Sequence, residues 1–411
     1  MPEFLYLLPP QEAARTWLER VTHRTEAETI PSAEALGRVT AEDVLAPHPM
    51  PPFDRSGVDG YAVRAADTYG ASESLPAYLE IVGEVPMGAP PKFRIGAGQA
   101  ALIHTGGMLP EGADAVVMLE YTQRSREDEV EVLKAVSKGE EVIVKGEDLA
   151  EGAAVIPRGA RLRAAEIGGL MALGILEVKV ARRAVVGIIA TGDEIVPPSA
   201  TPAAGQVRDI NSYTLAAEVQ RGGGVPRQYG IVPDNPKALA ETVGRALNEC
   251  DMVVVTAGSS ASTRDMTAEV LDSYGPPGVL VHGVNTKPGR PTILAVTAAG
   301  KPLVGLPGNP VSALVNMDLF VIPALDLLHG LQIRRLKPML KARLTVNLPS
   351  AAGREDWWPV RLCQTDEGWE ADPIFYKSNL IFSLVRADGL LKVPADATGL
   401  PAGAIAEVRL L

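Results

Sequence analysis

Cysteine is nearly absent: Cys250 and Cys363 are the only two in 411 residues. Neither a disulfide framework nor a cysteine-rich zinc site can be built from them, which favours a reducing compartment. Aromatic residues are 5% of the chain, so its cores must be made mostly of Val, Leu, Ile and Ala. Basic residues are outnumbered, 39 Lys and Arg against 50 Asp and Glu, for a net charge of −11. That excludes the broad basic footprint of a nonspecific nucleic-acid binder but leaves room for a local basic pocket that takes a small anion. No run of 18 or more apolar residues occurs, so no membrane span is expected. The opening, MPEFLYLLPPQEAARTW, has no basic leader and does not look like a signal peptide, and the expected location is the cytoplasm. The histidines form neither H-x-x-x-H nor H-E-x-x-H, and there is no G-x-S-x-G elbow, which disfavours zinc hydrolase and serine hydrolase chemistry.

What is present describes a soluble globular protein. Apolar residues at 46% and charged residues at 22% suit several packed cores, and the length suggests roughly two to four domains. Ala13, Ala14, Trp17, Leu18 and Val21 lie on one face at helical spacing, and Ser32 is placed to cap a second short helix. APHPMPPF (46–53) is a stiff, proline-rich linker. After it, short β-branched runs alternate with Gly- and Pro-rich turns, reading as an inserted mostly β domain over 51–147. Helical periodicity returns at 164–173, and one economical arrangement packs this helix with the N-terminal ones. The N-terminal helical/linker domain is then discontinuous, 1–50 plus 148–181. From 182 to 332 strands and helices alternate, and wholly apolar strands such as MVVV suit a parallel sheet covered on both faces. The expected fold there is a doubly wound α/β domain. Residues 333–411 are helix-poor and read as a small, β-barrel-like C-terminal domain.

In an open α/β sheet, ligands bind beyond the carboxyl ends of the strands. Several loops there are rich in small residues. ATGDEIV (190–196) reads either as a solvated turn or as a close-approach loop whose carboxylates face a metal-bridged phosphate. TAGSSASTRDMT (256–267) leads from a strand into a helix and offers N–H groups and hydroxyls to an anion, with Asp265 as a helix cap or metal ligand. It fits neither the dinucleotide nor the P-loop pattern. In NTKPGRPT (285–292), Lys287 and Arg290 stand on a loop stiffened by two prolines, which suits an oxyanion or is simply a basic surface turn. GLPGNPVSA (305–313) turns into a long apolar helix with Pro310 at its start, Asn309 as the cap and Ser312 in the first turn. In the β domain, Asp59-Gly60 reads as a hairpin turn and Thr105-Gly106-Gly107 as another close-approach loop.

Taken together and in this order, PPFDRSGVDGYAVR, TGGMLPEGADAVVMLE, KGEDL, ATGDEI, KPGRP and GLPGNPVSA resemble the molybdopterin molybdenumtransferase family, which includes the gephyrin E domain. The resemblance covers nearly the whole chain. It implies a four-part subunit, a homodimer and the insertion of molybdate into adenylylated molybdopterin, with Mg²⁺ and release of AMP. Carried over by position, Asp59, Thr105, Asp148 and Glu194 are the implied catalytic residues. Lys287, Arg290, Pro291, Ser312, Ser378, Arg354, Ser259 and Ser260 are the implied substrate and oxyanion residues. Glu194, Asp265 and Asp234 are the implied metal ligands. Molybdopterin adenylyltransferase and apo-molybdoenzymes are the partners this implies.

The chain departs from the family pattern at GSSASTRD, at Asp234-Asn235 and at Arg290, where the family usually has a lysine. Tungstate has nearly the size and charge of molybdate. Adenylylation of molybdopterin and a gephyrin-like dimeric scaffold are the alternative functions. The extra β domains and the KPGRP loop argue against the first, and the retained acids against the second.

Overall fold

The computed structural model describes residues 7–257, 261–332 and 338–411. Its contacts divide the chain into two compact units, one of 1–42, 158–164 and 177–411, the other of 43–157 and 165–176. The first helix, α1 (Pro10–Leu18), starts at a proline whose missing N–H costs nothing at that position. Its buried Trp17 lies in the same core as Val281, Leu294 and Phe320, and the indole N–H donates to the Ala295 carbonyl at 2.8 Å. A buried indole needs such an acceptor. α1 therefore belongs to the α/β core, while nearly all of the later helix, α2 (Ala164–Ala172), falls in the other unit. Ser32 heads a single 3₁₀ turn whose cap position is Pro31, so the expected second helix is not formed. In its place Ala27–Pro31 pairs with Glu177–Ala181 as a two-stranded ribbon.

The 43–157 unit holds a six-stranded sheet. Its strands are β1 (Gly60–Val63), β2 (Ala77–Glu84), β3 (Gln99–Ile103), β4 (Ala115–Met118), β5 (Thr122–Arg126) and β6 (Glu129–Val132), in the order β4-β1-β3-β2-β6-β5. Alternating residues of β1 face two separate cores: Tyr61 and Val63 join Leu79 and Val130, while Ala62 joins Ile95 and Ile103. Asp59-Gly60 is not a hairpin turn. Gly60 opens β1, which pairs with β3 and β4, while the preceding Arg55-Ser56 pairs with Val142-Ile143. Long-range partners overrode the local turn signal.

The α/β domain of the other unit comprises β7 (Val185–Thr191), α3 (Asn211–Arg221), β8 (Val225–Val232), α4 (Pro236–Glu249), β9 (Met252–Ala257), α5 (Ala261–Asp272), β10 (Gly278–His282), β11 (Thr286–Lys287), β12 (Ile293–Val296) and β13 (Pro302–Pro307). The sheet order is β8-β7-β9-β13-β12-β10. β8, β7, β9 and β13 run parallel, β12 antiparallel, and β10 again in the common direction. Every side chain of β9 is buried, as expected of a strand covered on both faces. After β13 the chain forms α6 (Pro310–Leu328), which contains a π-helical turn at Met317–Val321. By length and hydropathy α6 could cross a membrane, yet Ala313, Met317, Phe320 and Leu325 are the centre of the domain core.

The C-terminal strands are β14 (Met339–Leu344), β15 (Glu355–Thr365), β16 (Gly368–Pro373), β17 (Gly389–Val393) and β18 (Ile405–Leu410). They follow the order β15-β16-β14-β18-β17, and pairing of β17 back onto β15 closes a five-stranded barrel. Closure removes the exposed edges an open sheet of this size would present. β11, from the α/β domain, pairs with the start of β15 in parallel, Thr286 opposite Glu355 and Lys287 opposite Asp356.

Candidate active site

In the 43–157 unit, Asp59 and Thr105 are brought together by the pairing of β1 with β3. The Thr105 backbone N–H donates to Asp59 Oδ1 at 2.8 Å and its hydroxyl to the same oxygen at 3.3 Å. The backbone hydrogen bond, followed by the hydroxyl and nearby His104, holds the Asp59 carboxyl below the ordinary aspartate range. His104 extends the group: Nδ1 lies 3.5 Å from Asp59 Oδ1 and Nε2 lies 3.1 Å from Glu84 Oε1. Neither His104 nor Glu84 was singled out from sequence as a site residue. His104 was detectable only as the neighbour of Thr105, and Glu84 not at all. Asp148 is exposed, and its backbone N–H donates to the Met50 carbonyl at 3.1 Å.

The other unit collects its loops at the carboxyl edge of the α/β sheet. β7 ends in Thr191, whose hydroxyl donates to the Thr256 carbonyl at the end of β9. Beyond it Glu194 turns back over Gly192. A Cβ at Gly192 would come within 2.7 Å of Glu194 Oε2, so the glycine leaves room for that carboxylate. Asp193 accepts from the Asp234 backbone N–H at 3.2 Å, joining the ends of β7 and β8. It is thus Asp193, the other carboxylate of the 190–196 loop, that touches the Asp234 segment. Asn235 caps α4 by accepting from the Ala238 N–H at 3.1 Å.

Asp265 does not cap α5. The helix starts at Ala261, and Asp265 is an exposed residue within it. Ser259 and Ser260 lie outside the described residues. Asn309 occupies the cap position of α6 but makes no side-chain capping bond. The Gly308 carbonyl instead accepts from Asn211 Nδ2 at 2.8 Å.

The basic loop is held from below. Gly289 adopts φ +103°, and its carbonyl accepts from the Thr292 hydroxyl at 2.7 Å and from Asn316 Nδ2 at 3.5 Å. The same Asn316 amide donates to the Ser312 carbonyl at 2.8 Å, so one fully buried side chain ties the KPGRP loop to the first turns of α6. Ser312 is buried, while Arg290 is exposed and Pro291 half-buried on the loop. Ser378 reaches the same helix from the C-terminal region, its carbonyl accepting the Val311 N–H at 3.1 Å.

Lys287 and Arg354 meet at a residue that sequence reasoning missed, Asp356. Arg354 Nε donates to Asp356 Oδ1 at 2.8 Å and its Nη2 to Oδ2 at 3.5 Å, while Lys287 Nζ lies 3.8 Å from Oδ2. The Lys287 ammonium also stands 5.4 Å from the centre of the Trp358 ring, a cation–π contact that steadies it. Asp356 carried no sequence signal, because its role depends on the β11–β15 register. The structure therefore links Lys287, Arg354, the KPGRP turn, Ser312 and Ser378 through short contacts, and places Glu194 and Asp234 at the same edge of the sheet. Among the described residues no three His, Cys, Asp or Glu side chains gather as a metal-ligand set. The acidic residues of this edge do not form a cage by themselves.

Comparison with known proteins agrees with this arrangement. Sequence profiles match in succession: the MoeA N-terminal region (domain I and II) over residues 8–174, a probable molybdopterin binding domain over 187–327, and the MoeA C-terminal region (domain IV) over 341–411. A molybdopterin molybdenumtransferase of Nostoc sp. is 34% identical over 388 residues, 93% of this chain and 88% of that protein. A putative molybdopterin biosynthesis protein of Methanocaldococcus jannaschii is 33% identical over 98% of both chains. The crystal structure of a molybdopterin biosynthesis MoeA protein from Pyrococcus horikoshii OT3 superposes with a TM-score of 0.85 at 34% identity, covering 98% of this chain and 100% of that one. With profiles spanning most of its length and relatives above 30% identity along nearly all of it, the chain belongs to the MoeA family of molybdopterin molybdenumtransferases.

Proposed function

We propose that this enzyme is a transferase that inserts molybdate into adenylylated molybdopterin, with Mg²⁺-dependent release of AMP, to give the molybdenum cofactor. The observation that carries the reading is the cation cluster of Lys287 and Arg354, set beside a loop locked to α6 through Asn316. Molybdate is a tetrahedral dianion, and charged donors beside a stiff loop suit such an ion. Arg290 adds a third cation on the same loop, and Ser312 and Ser378 stand at the start of α6. The family relationship supplies the pterin as the second substrate.

Glu194 and Asp234, with Asp193, would hold Mg²⁺. This donor set fits a metal that keeps several waters and is bound through one or two carboxylates plus substrate phosphates. Asp265 belongs to the expected ligand set as well. When bound, Mg²⁺ supplies positive charge against the pyrophosphate. The protein's own groups position the two substrates and neutralise their charge. In the 43–157 unit, Asp59, held by Thr105, is an acceptor prepared for a ligand N–H or hydroxyl, and Asp148 is a further acid of that unit.

The enzyme acts as a homodimer in the cytoplasm, receiving its substrate from molybdopterin adenylyltransferase and serving apo-molybdoenzymes. The test is incubation with adenylylated molybdopterin, Mg²⁺ and either molybdate or tungstate, reading AMP release and metal retained on the pterin. Absence of metal transfer with both oxyanions overturns the reading. ATP-dependent adenylylation of metal-free molybdopterin would replace it with the alternative enzyme activity.

A further inference from the structure

Asp356 is 1% exposed, yet its two partners are far more open, Lys287 at 49% and Arg354 at 36%. The carboxylate cannot leave. Its position is set by β15, in register opposite Lys287. The cationic head groups, by contrast, stand on solvent-facing stems and can turn. A buried carboxylate needs partners, and Asp356 has them in Lys287 and Arg354, which are already engaged before any ligand arrives. Three charges in contact, two positive and one negative, leave this trio a single net positive charge, with Arg290 the further cation of the loop.

We propose that Asp356 is a built-in counter-anion that competes with the tetrahedral oxyanion for Lys287 and Arg354, lowering the affinity of the site so that its cargo can be passed on. The inference rests on the reading of these two residues as oxyanion-binding cations. Its physical basis is the difference between a binding site and a transfer site. Uncompensated cations on a stiff loop would hold a dianion tightly, and affinity for the bound ion that is not kept in the transferring state slows the step that follows. A fixed internal carboxylate takes back the donors as the oxyanion leaves, so the cations are not left bare. Asp356 is a positioning residue and is not required to touch substrate.

The experiment is titration calorimetry of the full-length protein with sodium molybdate, without pterin, for the unmodified chain and for Asp356→Asn. The near-isosteric amide removes the charge and leaves the side chain's shape. Binding is expected to tighten at least tenfold, and in turnover KM for molybdate and kcat should fall together. Unchanged or weaker binding in a variant with a native melting temperature overturns the inference.

Arg354→Gln is the second variant, at a partly exposed side chain, and its melting temperature is read beside its affinity. It removes one cation and leaves the carboxylate facing Lys287 alone. It should therefore weaken binding more than Arg290→Gln, which removes one cation and no more. An equal or smaller effect also overturns the inference, whether or not Asp356→Asn folds. If the unmodified protein binds no oxyanion, the functional reading fails and the inference with it.

Discussion

A Cβ added to Gly289 would lie 1.6 Å from Asn316 Nδ2. The basic turn and the start of α6 are therefore packed to contact, and only a glycine at φ +103° allows it. Gly289→Ala must either push Asn316 aside or unwind the turn, at a cost of about 1–3 kcal/mol. The expected outcome is a lower melting temperature together with weaker molybdate binding. Asn316→Ala should lose the same binding, because it frees the loop while leaving the glycine's conformation allowed. Calorimetry of both variants checks this, and native affinity in either contradicts it.

The acids the family resemblance implies as catalytic are expected to separate activity from stability. Asp59→Ala and Glu194→Ala should abolish molybdenum insertion, read as AMP release, while circular dichroism and melting temperature stay close to native. Both side chains stand outside the apolar cores, and surface substitutions of this kind change stability by only about 0.5 kcal/mol. Thr105→Val removes one of the two Thr105 donors and leaves the backbone N–H. It should reduce turnover less than Asp59→Ala does.

Acid stability should depend on Asp251. Burial alone would raise its pKa. Hydrogen bonds from Arg182, His23 and the Val185 N–H outweigh burial and bring it down to about 2 from 3.8. A carboxyl whose pKa is lowered by folding stabilises the protein fully above the unfolded value, and that stability is lost as pH falls through the folded one. The contribution is on the order of 2 kcal/mol. Urea midpoints of the native chain should therefore fall between pH 4 and pH 2. Asp251→Asn should be less stable at pH 7 and show a flatter profile in that window. A profile parallel to the native one would contradict the assignment.

Trp17→Ala should cost about 3–5 kcal/mol, the range for emptying a buried aromatic site. It also leaves the Ala295 carbonyl without its indole donor. Trp17→Phe fills most of the volume and isolates the lost hydrogen bond, at about 1 kcal/mol. Chemical denaturation of the two variants separates the terms. Equal stability of the two would show that packing contributes little there.

Much of the architecture was legible in residue order. Apolar runs such as Met252–Thr256 announced strands buried on both faces, and Pro310 marked the start of α6 where the structure begins it. These are local properties: periodicity, backbone freedom and a missing N–H act within a few residues. The loops rich in glycine, proline and charge were legible for the same reason, and six of them in order identified the family.

What surrounds each of those loops was decided by tertiary structure. The path of α1 onto the α/β core, the placement of Asp59 at a strand entry instead of a hairpin, and the closure of the barrel by β17 on β15 all depend on partners distant in the chain. The same holds for His104 beside Asp59 and for Asp356 between Lys287 and Arg354. A side chain's type is written locally, but its charge environment is set by what strand register and burial place within a few ångströms, and that is a property of the folded chain alone.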